Sequence, residues 1–303
     1  MTFRFLILKR FDLKLFAILI SIGAIFINRL KLDMNCANYI LNKIPLSINF
    51  VNYTRYDPII FVGGHVKSGN SVMRDILHSH PLVYCNKPIK KLSFLLQSSI
   101  NWVRGSIEKT RLDHANMKTP IIDAALSSFM LQLIIQKNET AAKTFCLQDH
   151  EFILNINDVS RIFPNSKFII MIRDPRAVAY SKLLENEFST INHLNVKQVL
   201  ANWDRFLQST YKRCLSLGSS RCILIFYEKL VQEPEKELKR VFKQLNIPWH
   251  SSVLRDNKIN DHSLYKWIGK IPESILKNIS EIVPMMRTLG YDFRSKIPNY
   301  NKL

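Results

Sequence analysis

The feature that most limits what this chain can fold into is the run Pro58-Ile59-Ile60-Phe61-Val62-Gly63-Gly64-His65-Val66-Lys67-Ser68-Gly69-Asn70-Ser71-Val72-Met73-Arg74-Asp75-Ile76-Leu77. An apolar stretch too short for a helix meets two glycines and a basic, polar turn, after which Val72, Met73, Ile76 and Leu77 fall at helical spacing. The order is strand, loop, helix. A loop that enters a helix in this way aims successive backbone N–H groups, the positive end of the helix dipole and the Lys67 ammonium at one anion. Lys67, Ser68, Gly69, Asn70 and Ser71 therefore form a candidate phosphate cradle. Gly64-x-x-x-x-Gly69 is half of a nucleoside-triphosphate loop, but Asn70 stands where that motif has its lysine, which disfavours ATP or GTP as the ligand.

The rest of the chain supplies a sheet for this loop to sit on. Apolar runs at Lys143–Leu147, Phe168–Ile172 and Ile223–Phe226 read as strands. Helical spacing at Leu92–Val103, Ile121–Gln136 and Asp158–Phe163, resuming at Ala177 and Ser181, separates them, and Cys85–Lys91 reads as a basic loop. Strands alternating with helices imply an α/β fold with a mostly parallel sheet covered on both faces. Ligands then collect beyond the strand ends. The polar residues sit there: Lys67 and Ser68, Gln148 and Asp149, Arg173, and Tyr227. Arg173 with Ser181 offers a fork and a hydroxyl for a second phosphate. Two phosphate sites along one sheet edge fit a nucleotide phosphorylated at both ends of its ribose.

Charge and the N-terminus bear on where such a domain works. Lys and Arg outnumber Asp and Glu by 43 to 24 in 303 residues, a net charge of +19 that favours anionic partners. No zinc-finger spacing, metal-ligand cluster or RNA-recognition signature accompanies that charge, so nucleic acid is not the expected partner. Leu15 to Ile27 is apolar on every face and flanked by Arg4, Lys9, Arg10 and Lys14 on one side and Arg29 and Lys31 on the other. It is shorter than the roughly 20 residues a bilayer usually requires, though its basic ends extend it by snorkelling. Without small residues for cleavage after Ile27, it reads as an uncleaved signal-anchor whose more basic N-terminal flank is cytoplasmic. The expected organisation is a tail at 1–14, the anchor at 15–28, a lumenal stem at 29–57 and one large domain at 58–303.

The five cysteines fit that lumenal address. None forms a C-x-x-C pair for metal or redox work, and two structural bridges are the expected use. Cys214 and Cys222 flank a Gly-Ser-Ser turn, and Cys85 and Cys146 are candidates for the second pair, which leaves Cys36 in the stem. Asn52, Asn138 and Asn278 head glycosylation sequons in this topology.

Many short motifs in order give a closer likeness. Phe61-Val62-Gly63-Gly64, Leu77-His78-Ser79-His80-Pro81, Arg161 to Phe168, Met171-Ile172-Arg173-Asp174, Cys222 to Leu230, Ile247-Pro248-Trp249, Lys266 to Pro272 and Leu289-Gly290-Tyr291-Asp292 resemble the Golgi protein-tyrosine sulfotransferases, over about Pro58 to Tyr300. The resemblance implies a sulfotransferase-type P-loop fold and a single-pass type II Golgi membrane enzyme, usually a homodimer. Such an enzyme transfers a sulfuryl group from 3′-phosphoadenosine-5′-phosphosulfate to tyrosines in acidic stretches of secreted or membrane proteins. It places cofactor contacts at Lys67, Ser68, Gly69, Asn70, Ser71, Arg173, Ser181, Tyr227 and the segment Lys266, Trp267, Ile268, Gly269 and Lys270. It also implies bridges Cys85–Cys146 and Cys214–Cys222, and a dimer contact near Trp102.

The chain departs from the family pattern where the chemistry lies. Lys87 replaces the family's general-base glutamate, Gln148 a catalytic lysine, Tyr265 a serine that stabilises the transferring group, and Lys90 a substrate-binding arginine whose bidentate fork is lost. Lys67 remains a candidate for charge stabilisation, and Asp149 and His150 are candidates for the proton acceptor by position. Tyrosine sulfation is the first reading, with reduced activity. The alternative is a non-catalytic lumenal protein of the same fold that binds nucleotide or acidic proteins.

Overall fold

A strand with neighbours on both sides must bury both faces, and all six residues of Ile59–Gly64 are buried. In the computed structural model this segment, β1, is the centre of a five-stranded sheet. The structure describes residues 53–86, 92–135, 142–185, 193–255 and 263–303, which fall in one compact unit, Val51–Leu303. The expected tail, anchor and most of the stem lie outside the described residues, as do Cys36, Asn52, Lys87, Lys90 and Asn138.

The other strands are β2 (Val83–Asn86), β3 (Thr144–Gln148), β4 (Lys167–Ile172) and β5 (Cys222–Phe226), ordered β2-β3-β1-β4-β5. Every pairing is parallel. Helix α1 (Asn70–His78) joins β1 to β2, and α2 (Leu92–Arg104), α3 (Ser106–His114) and α4 (Thr119–Ile135) precede β3. Two short helices, α5 (His150–Leu154) and α6 (Ile156–Ile162), lead to β4. The longer α7 (Pro175–Glu185) and α8 (His193–Leu217) lead to β5, and α9 (Tyr227–Gln232) and α10 (Pro234–Leu245) follow it. Phe61 of β1 anchors the core: its ring stacks on Phe152 at 5.2 Å and on Phe168 at 5.5 Å.

Adjacent strands β1 and β4 send their connections to opposite sides, one toward β2 and the other toward β5. A crevice opens at such a switch point, beyond the carboxyl ends of the two strands. Here those ends are Gly64 and Ile172, so the glycine loop and Arg173 face each other across it.

One expectation fails at an edge. Cys85 and Asn86 belong to strand β2 and not to a loop, because Cys85 lies directly opposite Cys146 of β3 and is bonded to it, with Cα atoms 4.4 Å apart. Four residues are too few to show a period, and covalent pairing with β3 supplies what the pattern lacks. The second bridge, Cys214–Cys222, ties the last turns of α8 to the first residue of β5 across Gly218, whose φ of 78° makes the turn.

Beneath the crevice lies a buried polar network that the chain's last residues complete. Asp174 accepts from Arg176 Nη2 at 2.7 Å and from the Tyr300 hydroxyl at 2.9 Å. Its own N–H donates to Glu228 Oε1 at 2.8 Å, and the Tyr291 hydroxyl donates to Glu228 Oε2 at 2.8 Å. Arg176 lies over the Trp267 ring, 4.2 Å from its centroid. The segments around Trp267, Tyr291 and Tyr300 are thereby fixed to the ends of β4 and β5.

Burial, helped by the Asp174 charge, pushes the Glu228 carboxyl up to about 7, against the hydrogen bonds from the Asp174 N–H, its own N–H and the Tyr291 hydroxyl, which pull it down. An acid that holds its proton longer when folded than when unfolded makes the folded state less stable as pH rises through that interval. Wild-type protein should therefore lose stability in urea melts between about pH 4.5 and 7, and Glu228→Gln should flatten that part of the profile. Equal slopes in the two proteins would assign the titration to another group.

Candidate active site

The crevice begins where the chain leaves β1. At Gly64 a Cβ would lie 2.3 Å from the Met171 carbonyl oxygen, so only glycine lets β1 and β4 approach this closely. The loop then makes two left-handed steps, at Lys67 (φ 68°) and Gly69 (φ 95°). Such a conformation is costly for lysine and persists only where its surroundings over-determine it. Arg173 does so by donating Nη1 to the Lys67 carbonyl at 3.0 Å. Asn70 braces the other limb, donating Nδ2 to the carbonyls of Gly64 at 3.1 Å and His65 at 3.2 Å. In the position of a triphosphate loop's lysine, asparagine thus holds the loop's shape.

Gly69 is the N-cap of α1, no side chain caps that end, and its first turn carries no acid. Ser71 is exposed there. The Ser68 hydroxyl is fully buried without a hydrogen-bond partner, as are Arg173 Nε and Asn70 Oδ1. A buried donor left unmade costs about 1–3 kcal/mol, so the two donors among these, Ser68 Oγ and Arg173 Nε, mark a place built for something that supplies acceptors. With uncapped helix amides beside them, the matching ligand is an anion.

Arg173 and Tyr227 form the far wall. The guanidinium lies 4.6 Å from the Tyr227 ring centroid, and that ring occupies the space a Cβ at Gly69 would need, 2.5 Å from its Cδ2. Asp174 does not pair with Arg173; it is committed to Arg176. Arg173 Nη2 donates to the Ser263 carbonyl at 2.9 Å, and the Tyr227 hydroxyl is 3.1 Å from Ser263 Oγ. These bonds bring in the segment that follows, where Lys266, Gly269 and Lys270 are exposed, Ile268 is half-buried and Trp267 is buried as an anchor under Arg176. Tyr265 stacks on Tyr300, with centroids 5.6 Å apart. Ser181 is half-buried on α7, eight residues beyond Arg173.

On the β3 side the loop borders a cleft of about 660 Å³ whose lining includes Val66, Asn70, Phe94, Gln148, Asp149 and His150. Gln148 accepts from Arg74 Nη1 at 3.3 Å. Asp149 caps α5, its Oδ1 accepting from the Glu151 N–H at 2.9 Å. His150 is half-exposed, with Nε2 3.1 Å from Glu151 Oε1. His65 escaped the sequence reading, because nothing in its surroundings signals that it turns inward. Its ring meets Phe206 edge-on at 6.0 Å, and burial holds it down at about 4. Asn278 is exposed, as a glycan acceptor must be, and Trp102 is half-exposed on α2.

Fold and loop together define the class. The family model described as Sulfotransferase family matches residues 58–251. The sulfotransferase domain of the Synechococcus PCC 7002 olefin synthase superposes with a TM-score of 0.57 over 80% of this chain and 98% of that one, at 17% identity. At finer grain, protein-tyrosine sulfotransferase 2 of Gallus gallus is 33% identical over 272 residues, which is 82% of this chain and 73% of that protein. Protein-tyrosine sulfotransferase 1 of Homo sapiens is also 33% identical, over 82% of this chain and 74% of its own. The chain belongs to the protein-tyrosine sulfotransferase family.

The Gly69–Tyr227 contact gives a direct test of the loop's packing. Gly218 shares a left-handed φ but has open space around it, so Gly218→Ala should cost only the backbone term of about 1–2 kcal/mol. Gly69→Ala, which must also displace the Tyr227 ring, should cost more in denaturant melts. Equal costs would mean that the ring moves aside freely.

Proposed function

We propose that this protein transfers the sulfuryl group of 3′-phosphoadenosine-5′-phosphosulfate to tyrosine hydroxyls in acidic stretches of secreted or membrane proteins. The observation that carries this reading is the pair of buried, unpartnered donors, Ser68 Oγ and Arg173 Nε, beside the uncapped end of α1 at the switch point. The donor nucleotide supplies an activated sulfur whose bond to a phosphate oxygen breaks in the reaction. Ser68, Gly69, Asn70 and Ser71 would hold its 5′ phosphate with hydroxyl and backbone N–H groups, and Arg173 with Ser181 its 3′ phosphate. Tyr227 faces the crevice, and the exposed lysines of the segment Lys266–Lys270, which follows Ser263, would suit a phosphorylated ribose. Lys67 brings a cation to the loop itself, where negative charge collects as the sulfuryl group moves.

Several features favour a lumenal, membrane-attached setting for this chemistry. Two disulfides fit an oxidising compartment. The basic flank ahead of 15–28 favours a type II orientation, and the family relationship favours the Golgi as its location. A net charge of +19 suits acidic acceptors. Half-exposed Trp102 is the residue we assign to a homodimer contact.

Incubating the full chain with labelled phosphosulfate donor and an acidic tyrosine peptide should give labelled sulfotyrosine. Truncating one partner of a buried charged contact typically costs 2–5 kcal/mol. Arg173→Ala should therefore weaken calorimetric binding of adenosine 3′,5′-bisphosphate at least tenfold. Equal affinities would remove Arg173 from the nucleotide site.

A further inference from the structure

A sulfuryl acceptor must lose a proton, and among the described residues the cleft next to the loop presents an exposed imidazole, His150. His150 follows β3 by two residues, and its Cα lies 3.3 Å from the Cβ that Gly63 lacks, against the root of the loop. It lines the same cleft as Val66 and Asn70 and is 47% exposed there, which leaves the imidazole reachable. Its Nε2 is 3.1 Å from Glu151 Oε1, while Nδ1 is 3.9 Å from Asp149 Oδ1. Donation of the Nε2 proton to the Glu151 carboxylate leaves the lone pair on Nδ1.

The neighbouring groups are occupied otherwise. Asp149 accepts from the Glu151 N–H as the cap of α5. His65, across from His150 on the loop, is buried, has Nδ1 3.0 Å from the Val66 carbonyl, and is a poor base because burial holds it down at about 4. Lys182 of α7 lies on the His65 side, and Arg74 of α1 is turned to Gln148 and Asp75.

Resting on the reading that this crevice is a sulfuryl-transfer site, we propose that His150 is the proton acceptor for the acceptor hydroxyl and that Glu151 is its positioning residue. The hydroxyl oxygen forms its bond to sulfur as its proton passes to Nδ1. The sulfur–oxygen bond to the donor phosphate breaks, and its electron pair leaves on that phosphate. Glu151 fixes the tautomer and steadies the imidazolium that results, in the way a carboxylate serves histidine bases generally.

The test uses the full chain and two separate readouts: binding of adenosine 3′,5′-bisphosphate by calorimetry, and kcat for sulfation of an acidic tyrosine peptide across pH. His150→Gln should lower kcat at least about 100-fold with nucleotide affinity unchanged. His150→Gly should regain part of its rate when imidazole is added, which a merely structural role would not allow. Glu151→Gln should lower kcat less than His150→Gln does, with nucleotide affinity unchanged. A wild-type rate in His150→Gln, or a loss that imidazole does not rescue, overturns the assignment. Wild-type protein that binds nucleotide without transferring sulfate overturns it too while leaving the nucleotide site standing; absence of nucleotide binding would remove the reading beneath both.

Discussion

The arrangement of the crevice depends on the fork of Arg173. One terminal nitrogen holds the carbonyl of Lys67 in a loop conformation that lysine seldom adopts, and the other holds the carbonyl of Ser263, ninety residues further along the chain. Its guanidinium carbon sits over the Tyr227 ring, which packs into the space left open by Gly69. Glycine loop, strand end and late segment are therefore one unit. The guanidinium's Nε is buried with no hydrogen-bond partner.

That fork is itself held from behind. Adjacent residues at the ends of β4 and β5 divide their labour: Arg173 and Tyr227 meet over the loop, while Asp174 and Glu228 are buried in the network that Tyr291 and Tyr300 complete. A backbone hydrogen bond from Asp174 to the Glu228 carboxylate sets the spacing of the two strand ends, and so the spacing of the two residues that face the crevice. Low dielectric makes such a network strong when every member is satisfied.

Much of this was legible in the sequence because it is local. The apolar run of β1, its glycines and the helical spacing after them fix strand, loop and helix, and Arg173 and Tyr227 stand at strand ends that the apolar runs delimit. The rest depends on distant partners. Nothing near Asp174 announces Tyr300, 126 residues away, and nothing near Trp267 indicates that it stacks under Arg176. The sequence places Asn70 in the phosphate cradle; that its side-chain amide also donates to the loop's own carbonyls is visible only once the turn is closed. Strand β2 was missed because four residues show no period and its partners, in β3, lie 61 positions away.

The two disulfides lie at opposite borders of the sheet, one between β2 and β3 and the other where α8 enters β5. The central strands β1 and β4, which carry the crevice, have no covalent tie and depend on burial and on the backbone ladders to their neighbours. Open sheet edges are where backbone groups solicit strangers, and each border here is stapled close to its exposed margin. A reductant would therefore work from the rim inward. The first casualty of lost bridges would be the protein's discretion toward its neighbours, with the crevice the last part to come undone.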